Sequence, residues 1–308
     1  MSNTPQLSVI VASYNSRRTI ANCLQSLRRQ VTDQAFEVVV VDSSNDGTGD
    51  LVAERFPEVG LLRFQERKYP GDARNAGIEA ARADIVASVD ADCEAQEDWV
   101  ERILEAHRDS SVAIGGAIGN ANPDSYVGWA AYLCEFSHWM PGAPRRWLGD
   151  IPTANLSYKK WVFRKYGRFI EGTYGSDTDF NWRLGRDGHR LLWAPSIVVA
   201  HRGVEDCGQF LRHEFNHGRD CGRMRVASQK FSRLRRWFYA ICFFLIPVKL
   251  YAVIAARNFR YRTYLKHFLV ATPLLALGLY AWSLGEFVAY VRPAGRRSTT
   301  SDGGRAER

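Results

Sequence analysis

The pair Asp90-Ala91-Asp92 closes an apolar run, Ile85-Val86-Ala87-Ser88-Val89. A buried strand that stops on two carboxylates one residue apart offers oxygen ligands at the carboxyl edge of a sheet. In open α/β sheets ligands bind at that edge. Hard divalent cations take such oxygens and bridge protein carboxylates to substrate phosphates. Alone, a D-x-D is also compatible with a solvated turn, because Asp favours turns. Here three further clusters accompany it. Tyr14-Asn15 follows an apolar run at 7–12, Asp42 follows one at 36–41, and Asp72-Ala73-Arg74-Asn75 opens an Ala-rich stretch. Parallel strands put their carboxyl ends on one edge, so these residues can converge. A carboxylate at Asp42 can accept hydrogen bonds from a base N–H or a ribose hydroxyl. Asp92, with Asp90 beside it, can hold a cation that stabilises a departing diphosphate. Arg74 can reinforce or orient that site.

Farther along, Gly175-Ser176-Asp177-Thr178-Asp179 starts a helical pattern. Asp177 and Asp179 can cap that helix, since Asp is favoured at helix starts. The sharper reading makes Asp177 a general base, because an acceptor hydroxyl is a poor nucleophile until a positioned group takes its proton. His201 follows a short apolar stretch at 197–200. Its imidazole is either structural or a metal ligand.

The elements that must position these groups alternate. Strands are predicted at 7–12, 36–41, 59–64, 85–89 and 112–118, and helices at 17–30, 51–56, 72–81 and 98–107. The first helix has Ile20, Leu24 and Leu27 on one face. This order predicts an α/β domain with a mostly parallel sheet covered on both faces. No G-x-x-x-x-G-K-[ST] occurs, and no G-x-G-x-x-G follows the first strand. That counts against a P-loop NTPase and a dinucleotide dehydrogenase. Trp129, Tyr132, Leu133, Phe136 and Trp139 or Met140 fall near helical spacing, as a core stripe or as an aromatic face near an acceptor or a membrane. A helix is predicted at 176–186, and short strands at 191–193 and 197–200.

The chain has 308 residues, a net charge of +8 and six cysteines. None of the cysteines forms a C-x-x-C pair, which fits reduced usage rather than a disulfide framework. Residues 1–5 show neither a basic n-region nor an apolar h-region, so no secretory signal is expected. Basic residues concentrate beyond residue 202, with seven over 216–236. A basic block before apolar runs suits an anionic membrane face. No nucleic-acid module is present, so nucleic acid is not expected as a partner. Residues 237–256 and 268–284 are two apolar runs, the first containing Pro247 and Lys249 and the second Pro273. Each approaches the length that spans a hydrocarbon core, and the alternative is a pair of buried or membrane-surface helices. The basic flanks, including Arg292, Arg296 and Arg297, favour a hairpin with both ends cytoplasmic. The expected division is a catalytic domain at 1–215, a basic amphipathic linker at 216–236, two transmembrane helices at 237–291 and a disordered basic tail at 292–308.

Taken in order, the motifs resemble the family 2 glycosyltransferases and their GT-A nucleotide-diphospho-sugar fold. The residues that carry the resemblance are Ser8-Val9-Ile10-Val11-Ala12-Ser13-Tyr14-Asn15, Val40-Val41-Asp42-Ser43-Ser44-Asn45-Asp46-Gly47-Thr48, Gly71-Asp72-Ala73-Arg74-Asn75-Ala76-Gly77, the Asp90/Asp92 pair and Gly175-Ser176-Asp177. They span roughly residues 6–215. The resemblance implies a metal-dependent, inverting transfer from a nucleotide sugar, with Mg²⁺ or Mn²⁺. It places Tyr14 and Asp42 at the nucleoside, with Asn15 and Arg74 in the same substrate site. It makes Asp92 the metal ligand with Asp90 nearby, Asp177 the base, and His201 a histidine near the metal. The stretch from Gly149 to Tyr158 matches the segment used beside donor sugar and acceptor. Asp150, Thr153 and Asn155 are contact candidates there, with Asp179 a further one; the alternative for the stretch is a loop feeding a strand.

Two departures bear on the acceptor. Ser176 stands where relatives often carry Glu, and Gln209-Phe210-Leu211-Arg212 is followed by His213 where processive synthases carry Trp. With only two membrane candidates, single-sugar transfer is expected rather than polymer synthesis. The expected acceptor is a hydroxyl of a lipid-linked or cell-envelope glycan, at the cytoplasmic face of an inner membrane. The rivals are a polyprenyl-phosphate glycosyltransferase, whose acceptor needs no base, and a non-catalytic membrane scaffold on the same fold.

Overall fold

The computed structural model describes residues 4–292. Residues 1–3 and the tail from 293 onward, with Arg296 and Arg297, lie outside the described residues. The chain runs β1 (Leu7–Ser13), α1 (Ile20–Arg28), β2 (Phe36–Asp42), α2 (Thr48–Arg55), β3 (Gly60–Arg63), α3 (Pro70–Ala80), β4 (Ile85–Asp90), β5 (Cys93–Ala95), α4 (Trp99–Ala106), β6 (Ala113–Asn120) and α5 (Tyr126–Phe136). It continues through β7 (Arg146–Leu148), β8 (Asn155–Lys159), α6 (Trp161–Tyr166), α7 (Ser176–Arg186), β9 (Leu191–His201) and α8 (Cys207–Ser228). The last elements are α9 (Arg233–Ile241), α10 (Ile246–Tyr261) and α11 (Leu265–Val291).

One sheet is built in the order β3-β2-β1-β4-β8-β6-β9-β5, with β7 added on β9. The β3-β2-β1-β4 block is parallel. Side chains of β1 divide between the two faces, as a strand's alternation requires. Val9 and Val11 join the core under α1, α4 and α5, while Ile10 joins the one under α3, α6 and α7. Helix α1 buries Ile20, Cys23, Leu24 and Leu27, a 3.6-residue repeat facing the first core. Helix α3 begins on Pro70, and the Asp72 carboxylate accepts from the Tyr69 backbone N–H at 3.2 Å, which satisfies an orphan donor at its start.

Three features differ from the sequence expectation. Strand β8 is antiparallel to both β4 and β6 and separates them. The stretches 191–193 and 197–200 form one strand, β9, whose ladder on β6 shifts between Gly116 and Ala117. Pro195 lies inside the skipped residues and cannot donate to a ladder. At Gly116 a Cβ would lie 1.9 Å from the Ile197 carbonyl oxygen, so glycine alone admits the bulge. Third, the expected boundary at 215/216 falls inside α8, which ends at Ser228, and α9 begins at Arg233, still within the stretch read as a linker.

The C-terminal run is longer than expected. Arg233–Tyr261 and Leu265–Val291 are both long and apolar enough to cross a membrane. The first is tightened into a 3₁₀ turn at Cys242–Leu245 before Pro247 restarts it. Phe268, Ala271, Leu275 and Leu279 of α11 share one core with Trp129, Leu133 and Phe136 of α5. Helices α8 and α11 cross with backbones in contact: a Cβ on Gly218 would sit 1.9 Å from the Trp282 carbonyl oxygen, and one on Gly285 1.9 Å from that of Phe215. Small residues permit such close crossings. The opposite faces expose Leu234, Trp237, Phe238, Ile241, Leu269, Val270 and Leu277.

Candidate active site

Strand register assembles the site. Ser13 pairs with Asp42 and Ala12 with Asp90, so the ends of β1, β2 and β4 lie side by side. Asp42 is buried, and its Oδ1 accepts from the Ser44 hydroxyl at 2.5 Å. Asn15 adopts a left-handed backbone conformation with φ 52°. Its side-chain oxygen accepts from the Asn45 N–H at 3.1 Å, and its own N–H donates to the Ser44 hydroxyl at 2.7 Å. Asn15 therefore fastens the loop after β1 to the loop after β2 and fixes Asp42. Tyr14 is half-exposed beside them, with the Arg67 guanidinium 4.3 Å from its ring centroid. Arg67 also donates to the Tyr174 hydroxyl at 2.6 Å and lies 5.1 Å from the Tyr69 ring centroid. This cationic, aromatic wall escaped the sequence reading, because its members are scattered over loops with no shared period.

At the end of β4, buried Arg74 donates to Asp90 Oδ1 at 2.6 Å. Hairpin strand β5 pairs with β9 so that Cys93 faces His201. That pairing sets His201 Nε2 3.4 Å from Asp92 Oδ1. Burial raises the Asp90 carboxyl, with Asp92 adding to the rise and Arg74 opposing it. At Asp92 burial also pushes upward, but His201 outweighs it and holds the carboxyl below its ordinary value. Burial alone would lower His201; Asp92 and then Glu135 overcome it and raise the imidazole to about 9. Ligand atoms of Asp92, Cys93 and His201 lie within 4.8 Å of one another. The Cys93 thiol is driven well up by burial, so the usable donors are the carboxylate oxygens and, once a cation displaces its proton, the His201 imidazole nitrogen. That set suits Mn²⁺ or another hard-to-borderline dication. The Asp92 side chain remains 40% exposed, which leaves one face of the carboxylate open to solvent.

The antiparallel β8 brings the second half. Val89 pairs with Asn155, so the residues just before Asn155 run past the end of β4, alongside Asp90. There Thr153 donates from its N–H (3.1 Å) and its hydroxyl (2.9 Å) to Asp177 Oδ2. The Thr178 N–H donates to Asp177 Oδ1 at 2.9 Å. Asp150 accepts from the Thr178 hydroxyl at 2.9 Å and the Asn181 amide at 2.8 Å. Burial, then repulsion from Asp177, raises its carboxyl to about 6.

The edge thus gathers Tyr14, Asp42, Arg74, Asp90, Asp92, Thr153, Asp177 and His201. Two candidate contact residues fall elsewhere. Asn155 is buried and fully engaged: it accepts from the Trp99 indole N–H at 2.9 Å and donates to the carbonyls of Ala117 (2.8 Å) and Ile197 (3.0 Å). It is a core clasp across β6, β8 and β9, because every polar atom it owns is used inside the protein. Asp179 is also buried, accepting from Arg183 at 3.1 Å and from the Ser228 hydroxyl at 2.8 Å. It ties α7 to α8 rather than lining the cleft. A cluster that the sequence reading passed over flanks His201. Phe136 of α5 packs on the His201 ring at 4.7 Å, and the adjacent Glu135 pairs with His213 of α8.

Comparison with known proteins identifies the family and the fold. The family described as Glycosyl transferase family 2 matches residues 8–166. The glycosyltransferase AglE of Haloferax volcanii is 26% identical over 252 residues, covering 80% of this chain and 82% of that protein. The succinoglycan biosynthesis protein ExoO of Rhizobium meliloti is 38% identical over 219 residues, or 68% of this chain; the match spans 61% of ExoO. Among solved structures, the mannosyltransferase PcManGT from Pyrobaculum calidifontis, in complex with GDP-Man and Mn²⁺, superposes with a TM-score of 0.61 at 18% identity. That likeness covers 94% of this chain and 87% of the other, and at such identity it is a likeness of fold.

Proposed function

The chain belongs to glycosyl transferase family 2 and is a glycosyltransferase; from that premise we propose that it moves a single sugar, with inversion, from a nucleotide-diphospho-sugar to a hydroxyl of a lipid-linked or cell-envelope glycan. The observation that carries this reading is the carboxylate pair at the end of β4 facing a third, hydrogen-bonded carboxylate, Asp177, across the same edge. Asp42 accepts from the nucleoside, and Tyr14 with Arg67 walls that pocket. Asp92 and His201, with Asp90 nearby, would hold Mg²⁺ or Mn²⁺, which when bound supplies charge to neutralise the departing diphosphate. PcManGT, which shares this fold, is in complex with Mn²⁺. Arg74 fixes Asp90 by a charge-assisted hydrogen bond. Thr153 aims Asp177, whose Oδ1 takes the acceptor proton as the hydroxyl oxygen attacks the anomeric carbon. The C–O bond to the diphosphate breaks as the new one forms.

The outward apolar faces of α9, α10 and α11, flanked by Arg and Lys, support attachment at the cytoplasmic side of an inner membrane. The test is the melting temperature of purified protein with UDP-, GDP-, CDP- and TDP-sugars, with and without Mn²⁺. A ligand at about a hundred times its Kd stabilises the folded state by about 2.7 kcal/mol. The expected result is a metal-dependent rise with one nucleotide class. No rise with any of them, in protein shown to be folded, overturns the proposal.

A further inference from the structure

Helix α8 carries His213-Glu214-Phe215-Asn216-His217, two histidines one turn apart with Glu after the first. On a helix this H-E-x-x-H spacing puts both imidazoles on one face, an arrangement suited to zinc. The proposed transfer uses none of these side chains. Helix α5 supplies the opposite wall. Glu135 Oε1 lies 2.9 Å from His213 Nε2. Glu214 is only 1% exposed, and its Oε1 finds no hydrogen-bond partner among the described residues. A buried carboxylate oxygen left unpaired is costly, so this atom calls for a partner. Ligand atoms of Glu135, His213 and Glu214 all lie within 4.8 Å of one another. The His217 ring centroid is 6.0 Å from that of His213.

With both carboxylates ionised, the cluster would carry more negative charge than one imidazole can balance. A dication bound there would cancel it and engage the unpaired oxygen. Mixed imidazole and carboxylate donors suit Zn²⁺ and its neighbours. The site differs from the usual H-E-x-x-H pattern in that Glu214, rather than the second histidine, stands with Glu135 and His213. His213 is half-exposed, so one side of the cluster opens to solvent.

We propose that Glu135, His213 and Glu214 form a second metal site, distinct from Asp92 and His201, that takes a transition-metal dication of the Zn²⁺ class and locks α8 against α5 beside the catalytic edge. This does not depend on the transfer reaction. The competing explanation is a protonated Glu214 packed against a simple Glu135–His213 pair.

The test is Zn²⁺ binding to chelator-stripped, full-length protein in detergent, measured by equilibrium dialysis and metal analysis. Co²⁺ substitution adds a visible absorption band as a second readout. Wild type and Asp92→Asn should both retain tight Zn²⁺, whereas Glu135→Gln and His213→Asn should each lose at least about tenfold in affinity with unchanged far-UV circular dichroism. Zn²⁺ lost in Asp92→Asn and kept in the other two overturns the proposal, as does wild type that binds none. Should Glu135→Gln and His213→Asn fail to fold, Glu214→Gln decides, since it mimics the protonated carboxyl and preserves packing. Undiminished Zn²⁺ affinity in Glu214→Gln overturns the site.

Discussion

Replacing Asp177 by Asn tests the base with little disturbance of the fold. Asp177 Oδ2 already accepts two hydrogen bonds from Thr153, and Oδ1 accepts one from the Thr178 N–H. Only Oδ1 retains a lone pair for an incoming proton. An Asn side chain must turn its oxygen toward the two Thr153 donors, because an amide NH₂ there would face an N–H. Its NH₂ then occupies the Oδ1 position, against the Thr178 N–H and where the acceptor proton should arrive. One lost backbone hydrogen bond costs about 1 kcal/mol of stability. The lost general base costs about 10²–10⁴ in turnover, or about 3–5 kcal/mol of barrier. Affinity for the nucleotide sugar should stay unchanged, because Asp177 lies across the edge from Asp42. Initial rates of sugar transfer at saturating donor, paired with melting temperatures, read the two effects separately. Turnover within about threefold of wild type would refute the base and point to an acceptor that is already an anion, such as a polyprenyl phosphate.

Gly218→Ala places a Cβ 1.9 Å from the Trp282 carbonyl oxygen, so α8 and α11 must separate. The expected loss is about 1–3 kcal/mol or more, seen as a lower melting temperature in detergent, and wild-type stability would show that these helices do not cross there. Asn155→Ala leaves the Trp99 N–H and two carbonyls unpaired; at about 1–3 kcal/mol for a buried unsatisfied group, the folded fraction should fall sharply while its donor affinity holds. A selective loss of donor affinity in stably folded protein would return Asn155 to the substrate site. The Asp150 carboxyl is raised from 3.8 to about 6, so between those values the folded chain holds a proton that the unfolded chain has released. Stability must then fall as pH rises from about 4 to 6, by at most about 3 kcal/mol from this group. Asp150→Asn should remove that slope in pH-dependent denaturation, and an unchanged slope would contradict it.

The centre of the parallel half was legible because β1, β4 and the second half of β2 are buried on both faces and read as Val- and Ile-rich runs. Asp42 and Asp90 could be read as edge residues because each ends such a run, and register did the rest. Strand β8 was harder. Its antiparallel insertion between β4 and β6 depends on long-range pairing that no local period encodes. This explains the different positions of Thr153 and Asn155, two residues apart: Thr153 precedes the strand and reaches Asp177, whereas Asn155 lies within it and serves the core. Pro195 made β9 look like two strands, since a proline usually interrupts a ladder and only the glycine opposite absorbs it. The C-terminal runs were visible from composition, but the packing of α11 onto α5 and α8 was not. Gly218 and Gly285, which admit it, carry no periodic signal of their own. The H-E-x-x-H on α8 was available in the sequence, and only its meeting with Glu135 required the structure.

On the proposed function, the carboxylate pair at the end of β4 serves a metal-dependent transfer of sugar from a nucleotide-diphospho-sugar. Release of nucleoside diphosphate should be measured with the donor identified by thermal shift, in chelator-treated wild type and Asp92→Asn, across a Mn²⁺ titration. No turnover is expected without the metal, with recovery in wild type as Mn²⁺ is added and at least about a hundredfold less in Asp92→Asn at every Mn²⁺ concentration. Turnover that persists in chelator, or an Asp92→Asn variant that responds to Mn²⁺ as wild type does, would contradict it.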